Sequence, residues 1–213
     1  MNRSETLREI MIERRSTRSF TGETIDQAVL EDVLKSVFYA PYAAASTGLA
    51  LRDVRKVYAF RIGSSSMESA RDILLETVAA NAGKLNTMLR ILPFFRPRMG
   101  LFARRLNMIV SNGIPSLHKG SFYIVVAEKK GFPSVAGHSL SYAMQNMWLA
   151  ATAHGIGFQL ISATSLLSKS RPFLRLLQLP YGYQLDGCVI GVPEAAHAEA
   201  RDGVADGCTV FMK

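Results

Sequence analysis

A predicted helix with apolar residues nearly all round, residues 138–154, constrains the fold of this chain most strongly. Its large or apolar members are Leu140, Met144, Met147, Trp148 and Ala151, and they fall on nearly every side of a helix. Gly155 follows it, and glycine is favoured just past a helix C-terminus. A helix that is apolar all round needs partners all round, so we expect it at the centre of a core or in a dimer interface. We interpret Trp148 and its methionine neighbours as core or interface packing, with a role in lining an active site as the alternative.

Four further segments have the apolar and β-branched composition of strands. They are residues 54–60, 122–127, 157–162 and 186–192, and residues 208–211 are strand-like as well. Helices are predicted over residues 4–14, from a capping box at Thr24 and Gln27 to Pro41, from the serines at 64–66 to about Ala82, and over 168–177. This order predicts an α+β fold with helices packed on a small sheet. With no internal repeat, we expect one domain, residues 1–213.

The charge of the chain is uneven. Lys and Arg outnumber Asp and Glu by 25 to 17, a net charge of +8, which favours anionic partners. No acidic residue lies between Glu76 and Glu128, whereas seven cations do: Lys84, Arg90, Arg96, Arg98, Arg104, Arg105 and Lys119. Residues 84–110 are also apolar and are broken by Pro93, Pro97 and Gly100. We interpret them as an excursion of two short helices.

Several classes of protein are disfavoured. The two cysteines, Cys188 and Cys208, cannot form a disulfide framework, and neither they nor the four histidines have the spacing of a metal site. We expect no metal and a reducing cytoplasm as the location. The N-terminus lacks the apolar core of a secretory signal, and no apolar run approaches the length of a membrane span.

A short basic motif carries the main chemical signal. Arg14, Ser16 and Arg18 are spaced by two, so in an extended segment they share one face and could hold a phosphate between two guanidinium groups and a hydroxyl. The alternative is a solvated basic segment. No Gly-rich phosphate loop is present, because Gly155 and Gly157 follow a helix instead of preceding one. A phosphate at this motif would be held by side chains.

Four motifs in order resemble the FMN-dependent nitroreductase family. They are residues 14–20, the predicted helix ending at Ala40 and Pro41, the apolar helix leading into residues 154–157, and residues 187–193. The resemblance covers nearly the whole chain except the 84–110 excursion. It implies a homodimeric α+β flavoprotein with a small, mostly antiparallel central sheet, FMN at the subunit interface, and electrons taken from NADH or NADPH.

The resemblance also implies which residues contact the cofactor. By position, Arg14, Arg15, Ser16, Arg18 and the later Arg201 would bind the FMN phosphate, the ribityl chain or the pyrimidine edge of the ring. Residues Tyr42, Ala43 and Ala45 would approach the flavin through their backbone, and Leu160, Ile161, Ser162 and Ala163 would lie along it. Ser162 and Ala163 replace the glycines usual in the family, and Ala45 and Thr47 replace asparagine and glutamine. We therefore expect backbone contacts to remain where polar side chains are lost.

Two functional hypotheses follow. The first is an NAD(P)H-dependent flavin oxidoreductase that reduces a nitroaromatic, quinone or enone by a ping-pong mechanism, with no catalytic acid, base or nucleophile, because the cofactor carries the chemistry. The second is a peripheral membrane protein that uses residues 84–110 as an amphipathic interfacial segment. A variant of this hypothesis is another specialised flavin-binding protein that uses the same segment, with a vestigial flavin or with dehydrogenase or oxidase activity. We favour the first, with the excursion as a flexible lid, and we expect no nucleic-acid partner.

Overall fold

A computed structural model describes residues 2–195 of the chain. Its centre is a four-stranded sheet of order β1-β2-β4-β3, built from β1 (Arg55–Arg61), β2 (Phe122–Lys129), β3 (Gly157–Leu160) and β4 (Tyr183–Gly191). All three strand pairings are antiparallel. The predicted α+β fold with a small antiparallel sheet flanked by helices is therefore confirmed.

Helices surround the sheet. In the described residues the α-helices are α1 (Arg3–Glu13), α2 (Gln27–Ser36), α3 (Ala44–Thr47), α4 (Leu51–Val54), α5 (Ser65–Ile91), α6 (Arg96–Asn112), α7 (Ser116–Lys119), α8 (Ala136–Ala153) and α9 (Arg171–Leu176). Three 3₁₀ helices, Val37–Tyr39, Pro93–Phe95 and Ser162–Lys169, connect them. None of the helices in this part of the chain is long and apolar enough to cross a membrane.

The sheet has an apolar cluster on each face. Ile124 and Val126 of β2 point toward α8 and α2, while Tyr123, Val125 and Ala127 point toward α5 and α9. Because β2 is buried on both faces, its residues 122–127 are apolar without alternation. The apolar stretch that predicted a central helix is α8, which packs against three strands and α2.

Two predicted helix boundaries are wrong for a local reason. The second helix begins after Asp26, not at Thr24, because the Asp26 carboxylate accepts the N–H of Ala28 at 2.8 Å and of Val29 at 3.4 Å. Residues 168–177 form a shorter helix, α9, because the Ser170 hydroxyl caps it by accepting the N–H of Phe173. The third strand ends at Leu160, two residues earlier than predicted.

The excursion at 84–110 forms two helices, but they are not short. The apolar stripe that includes Val78 and Ala82 continues through Leu85 and Leu89, so α5 runs unbroken for 27 residues. Pro93 follows its end and opens the turn into α6, which has 17 residues. The predicted strand at 208–211 lies outside the described residues.

Candidate functional site

The basic motif forms an additional edge of the sheet. Ser16 forms a parallel bridge with Phe158 of β3, and the Thr17 N–H donates to the Phe158 carbonyl at 2.9 Å. Burial alternates along this extended segment, since Thr17 is buried while Ser16 and Arg18 are exposed. The expected shared face is therefore present for Ser16 and Arg18, while Arg14 lies just after α1 as its C-cap.

Trp148 of α8 holds this segment in place. Its indole N–H donates to the carbonyl of Arg15 at 3.2 Å, and its ring stacks on Phe158 with 4.8 Å between centroids. The guanidinium carbon of Arg14 lies 4.2 Å from the centroid of the indole, which is a cation–π contact. Trp148 thus packs in the core, as expected, but it also positions two arginines of the motif. The sequence signal is that a single tryptophan, with one polar N–H, lies in an otherwise apolar helix.

The end of β3 supplies the second part of the candidate site. Of the four residues predicted to line a flavin, Leu160 and Ser162 are exposed, whereas the side chains of Ile161 and Ala163 are buried. The Ile161 N–H donates to the Gly187 carbonyl at 2.7 Å. Ser162 and Ala163 begin a 3₁₀ helix, whose first N–H groups have no acceptor within the helix, and no acceptor elsewhere in residues 2–195 takes them. Two backbone donors beside Leu160 therefore lack an acceptor in the described part of the chain.

Residues 42–45 are anchored by a buried ion pair. Arg55 at the start of β1 is 1% exposed and donates through Nε to Glu128 of β2 at 2.8 Å. Its two terminal nitrogens donate to the carbonyls of Val37, Ala40 and Pro41 at 2.7 to 3.0 Å. Glu128 also accepts the hydroxyl of Ser139 at 2.5 Å. The guanidinium therefore fixes the backbone that leads directly into residues 42–45.

The loop itself is closely packed on one side. The Tyr42 hydroxyl donates to the Leu49 carbonyl at 3.4 Å, Ala43 is half-buried, and Ala45 is exposed. The backbone carbonyl of Ser46 accepts the N–H of Phe132 at 2.8 Å. A Cβ on Gly131 would lie 2.2 Å from the same carbonyl oxygen. Only glycine at 131 allows this approach, so two distant loops are joined at this end of the sheet.

Within one subunit the structure brings together only part of the predicted site. The motif at 14–18 and residues 160–163 lie at the β3 edge, whereas residues 42–45 are attached to the start of β1 at the opposite edge. Four strand spacings separate Ser16 from β1, which is about 19 Å across the sheet. Arg201, the remaining predicted contact, lies outside the described residues.

Sequence reasoning missed Asp186, a half-buried carboxyl on β4. Asp186 is two residues before Cys188 on β4, so the two side chains are on the same face of the sheet. Because Cys188 pairs with Leu160, the last residue of β3, Asp186 is on the face of Leu160 and just past the end of β3. Burial raises the pKa of Asp186 to about 6, although the N–H of Gly187, donated at 2.8 Å, opposes this shift. Burial also raises the pKa of the Cys188 thiol. An acidic residue inside an apolar strand is the signal that sequence analysis could have used.

The described residues contain no group of side chains arranged to hold a metal ion. His154 is the C-cap of α8, and its Nε2 lies 2.7 Å from a carboxylate oxygen of Asp32. The candidate site is thus a basic edge segment, two free backbone donors and a half-buried carboxyl, without a metal centre or a nucleophile paired with a base.

These features define the class of the protein: an α+β fold with a small antiparallel sheet and a basic edge formed by the extended segment after the first helix. A model of the nitroreductase family matches residues 11–192, so the chain belongs to the nitroreductase family. No curated protein sequence matches it significantly.

Solved structures agree on the fold. A nitroreductase from Bacteroides fragilis with bound FMN is 20% identical, with a TM-score of 0.71, and each chain covers 100% of the other. A nitroreductase from Desulfitobacterium hafniense, also with bound FMN, is 19% identical, with a TM-score of 0.67 and 100% coverage of both chains. A Parabacteroides distasonis protein named as an NADH dehydrogenase/NAD(P)H nitroreductase is 14% identical, with a TM-score of 0.59, covering 98% of this chain and 99% of its own.

Proposed function

We propose that this protein is an FMN-dependent oxidoreductase that takes electrons from NADH or NADPH and reduces an electron-poor acceptor such as a nitroaromatic, quinone or enone. The observation that carries the proposal is that the outward-facing Ser16 and Arg18 lie on the same sheet edge as the two free N–H groups at 162 and 163. FMN bound in the Bacteroides and Desulfitobacterium structures supports the cofactor, and the name of the Parabacteroides protein supports the donor.

The residues present fit FMN. A phosphate needs charged and hydroxyl donors that face solvent, and Ser16 and Arg18 provide them without rearrangement. An aromatic ring with polar edges needs a flat apolar surface with a few hydrogen-bond donors, and exposed Leu160 beside the free N–H groups of Ser162 and Ala163 provides both. The side chain of Ala163 points into the core, so its replacement of a family glycine leaves the exposed side of the segment open.

When bound, FMN would supply the redox chemistry, accepting electrons from the nicotinamide and passing them to the acceptor. The residues of this chain would bind and orient it. Arg14 and Arg18 would neutralise the phosphate and the Ser16 hydroxyl would donate a hydrogen bond to it. Trp148 keeps the backbone of this segment against β3, and the N–H groups of Ser162 and Ala163 would polarise the ring. We assign no catalytic acid, base or nucleophile, and expect donor and acceptor to use one site in turn, which gives ping-pong kinetics.

We also propose that the protein works as a homodimer. Within one subunit Tyr42, Ala43 and Ala45 are attached to the sheet edge opposite to that of Ser16, and a second copy would bring the same residues to the FMN held at Ser16. Exposed apolar side chains support such an interface: α1 buries none of its residues, and Leu7, Met11 and Tyr39 are 50%, 48% and 78% exposed.

The cofactor test is an absorbance titration of the purified protein with FMN, followed by anaerobic addition of NADH or NADPH. We expect a bound flavin spectrum that bleaches with at least one donor. Because a charge-assisted hydrogen bond to phosphate contributes about 1.5–3 kcal/mol, Arg18→Ala should raise the Kd for FMN roughly 10- to 100-fold, and Arg14→Ala with Arg18→Ala should release it. Arg61→Ala, at an exposed arginine of β1, is the matched control.

Undiminished flavin retention in the double variant would refute the phosphate assignment, and bound flavin that neither nucleotide bleaches would refute the donor. For the dimer, Arg14→Ala/Arg18→Ala subunits are mixed with Ala45→Trp subunits, each inactive alone. If residue 45 serves the site of the second copy, mixing should restore about a quarter of the active sites, since half of the dimers then hold one intact site. No recovery despite subunit exchange would contradict the shared site.

A further inference from the structure

The second half of α5, the 3₁₀ turn and α6 form a helical hairpin, residues 84–112, which we call the basic hairpin. Leu85 and Leu89 pack against Ala103 and Leu106, and the amides of Asn86 and Asn107 are hydrogen-bonded at 2.9 Å. Among the described elements, α6 makes extensive contact only with α5 and the turn. The buried side chains of the hairpin continue the apolar cluster on the α5 face of the sheet, and α6 is held mainly by α5 and the turn, without extensive contact to the strands that carry the candidate site of its own subunit.

Large apolar side chains are exposed along the hairpin and at its turn. Ile91 and Phe94 are each 69% exposed, and other exposed apolar side chains are Leu92, Leu101, Phe102, Met108 and Val110. Single exposed apolar residues are normal on a protein surface, but seven within twenty positions indicate a binding surface.

The same surface carries only positive charge. The hairpin has Lys84 and five arginines, and the nearest acidic residues along the chain are Glu76 and Glu128. Within residues 2–195 none of these six cations forms an ion pair. A solvated protein surface usually mixes charges of both signs, so this composition selects an anionic partner.

A cleft of about 620 Å³ between the two helices brings both features together. Three arginines line it, Arg90, Arg96 and Arg104, with Pro97 and the exposed Leu101 beside them, and no carboxylate of the described residues does. Guanidinium groups bind phosphate oxygens in a bidentate manner, so the cleft matches a phosphate that is attached to an apolar body.

We propose that the basic hairpin docks this protein on an anionic phospholipid membrane. Ile91 and Phe94 of the turn enter the boundary between headgroups and acyl chains, while the arginines of the cleft bind lipid phosphate groups. This geometry is that of an interfacial amphipathic element, which lies on a membrane without crossing it. A membrane-bound hairpin accounts better for arginines combined with exposed apolar groups than the lid over the flavin that the sequence predicted.

The test uses the full-length protein with and without FMN in flotation assays with two kinds of vesicle, pure phosphatidylcholine and phosphatidylcholine with 30 mol% phosphatidylglycerol. We expect binding only to the anionic vesicles, weakening from low to high salt. Because each Lys or Arg near an anionic surface contributes about fivefold, Arg90→Glu/Arg96→Glu/Arg104→Glu should lose about a hundredfold or more in partition. Ile91→Ser/Phe94→Ser should lose about tenfold, since it removes the buried apolar area. All these residues are exposed, so the FMN Kd of each variant should stay unchanged.

The matched control is Arg3→Glu/Arg52→Glu/Lys56→Glu, which makes the same change in net charge at exposed positions outside the hairpin. Its retention of vesicle binding supports the proposal, and a loss equal to that of the hairpin variant overturns it.

Equal binding to both kinds of vesicle, or binding to neither, also overturns the proposal. So does a hairpin variant that keeps vesicle binding while turnover or sedimentation coefficient changes, because the hairpin would then be a lid or an interface between copies. Failure to bind FMN would leave these outcomes intact, so the two proposals fail separately.

Discussion

Replacing Arg55 by Met should destabilise the protein strongly and loosen the loop predicted to reach the flavin. The substitution leaves the Glu128 carboxylate, 2% exposed, with the Ser139 hydroxyl as its only remaining side-chain partner among residues 2–195. It also removes the donors to three carbonyls, those of Val37, Ala40 and Pro41. Removal of one member of a buried, hydrogen-bonded ion pair costs about 3–5 kcal/mol of unfolding free energy.

For a chain of this size each kcal/mol corresponds to about 2–4 °C, so the Tm should fall by roughly 6–20 °C. Thermal unfolding followed by circular dichroism, with urea unfolding at 25 °C, measures both quantities. The double variant Arg55→Met/Glu128→Leu removes both charges and should recover much of the loss, because no charge is then left buried alone. FMN affinity should nevertheless stay reduced in the double variant, since the Pro41 carbonyl still lacks its donor.

The matched control is Lys35→Met, which breaks an exposed ion pair with Glu31, 3.4 Å apart, and should cost less than about 0.5 kcal/mol. Two results would refute the reasoning: an Arg55→Met variant within about 1 kcal/mol of the wild type, or a double variant as unstable as the single one.

Three further predictions concern single contacts of the site. Gly131→Ala should lower the unfolding free energy by about 1–3 kcal/mol, because its Cβ would meet the Ser46 carbonyl oxygen; urea unfolding measures this, and an unchanged midpoint would contradict the close approach. Trp148→Phe keeps a ring on Phe158 but loses the donor to the Arg15 carbonyl, so stability should fall by about 1 kcal/mol and the FMN Kd should rise in the same titration; an unaltered Kd would show that Trp148 does not position the motif. Asp186 binds its proton more tightly in the folded state, with a pKa of about 6, than in the unfolded chain, so wild-type stability should fall as pH rises from about 4 to 6. Asp186→Asn should therefore be more stable than the wild type at pH 7.5, by up to about 3 kcal/mol, and comparable near pH 4; equal stabilities at pH 7.5 would show that the carboxylate is well solvated.

Much of the fold follows from local sequence pattern. Strand β2 was predictable because burial on both faces leaves a continuous apolar run, residues 122–127, and helix α8 because apolar residues recur over its whole length. The shared outward face of Ser16 and Arg18 follows equally from the alternation of an extended segment. Boundaries were less predictable, because at Asp26 and Ser170 a side chain other than the expected one caps the helix.

The sequence by itself therefore determined the fold class, the family and the residue types available to an anion. Tertiary structure decided which of these residues meet. Trp148 lies far along the chain from Arg14 and Arg15, and Arg55 joins Glu128 to the turn before residue 42, because strand order brings these segments together. The same strand order places residues 42–45 and 14–18 at opposite edges of one subunit. Local patterns report burial and periodicity within a segment, whereas contacts between distant segments depend on how the sheet is ordered.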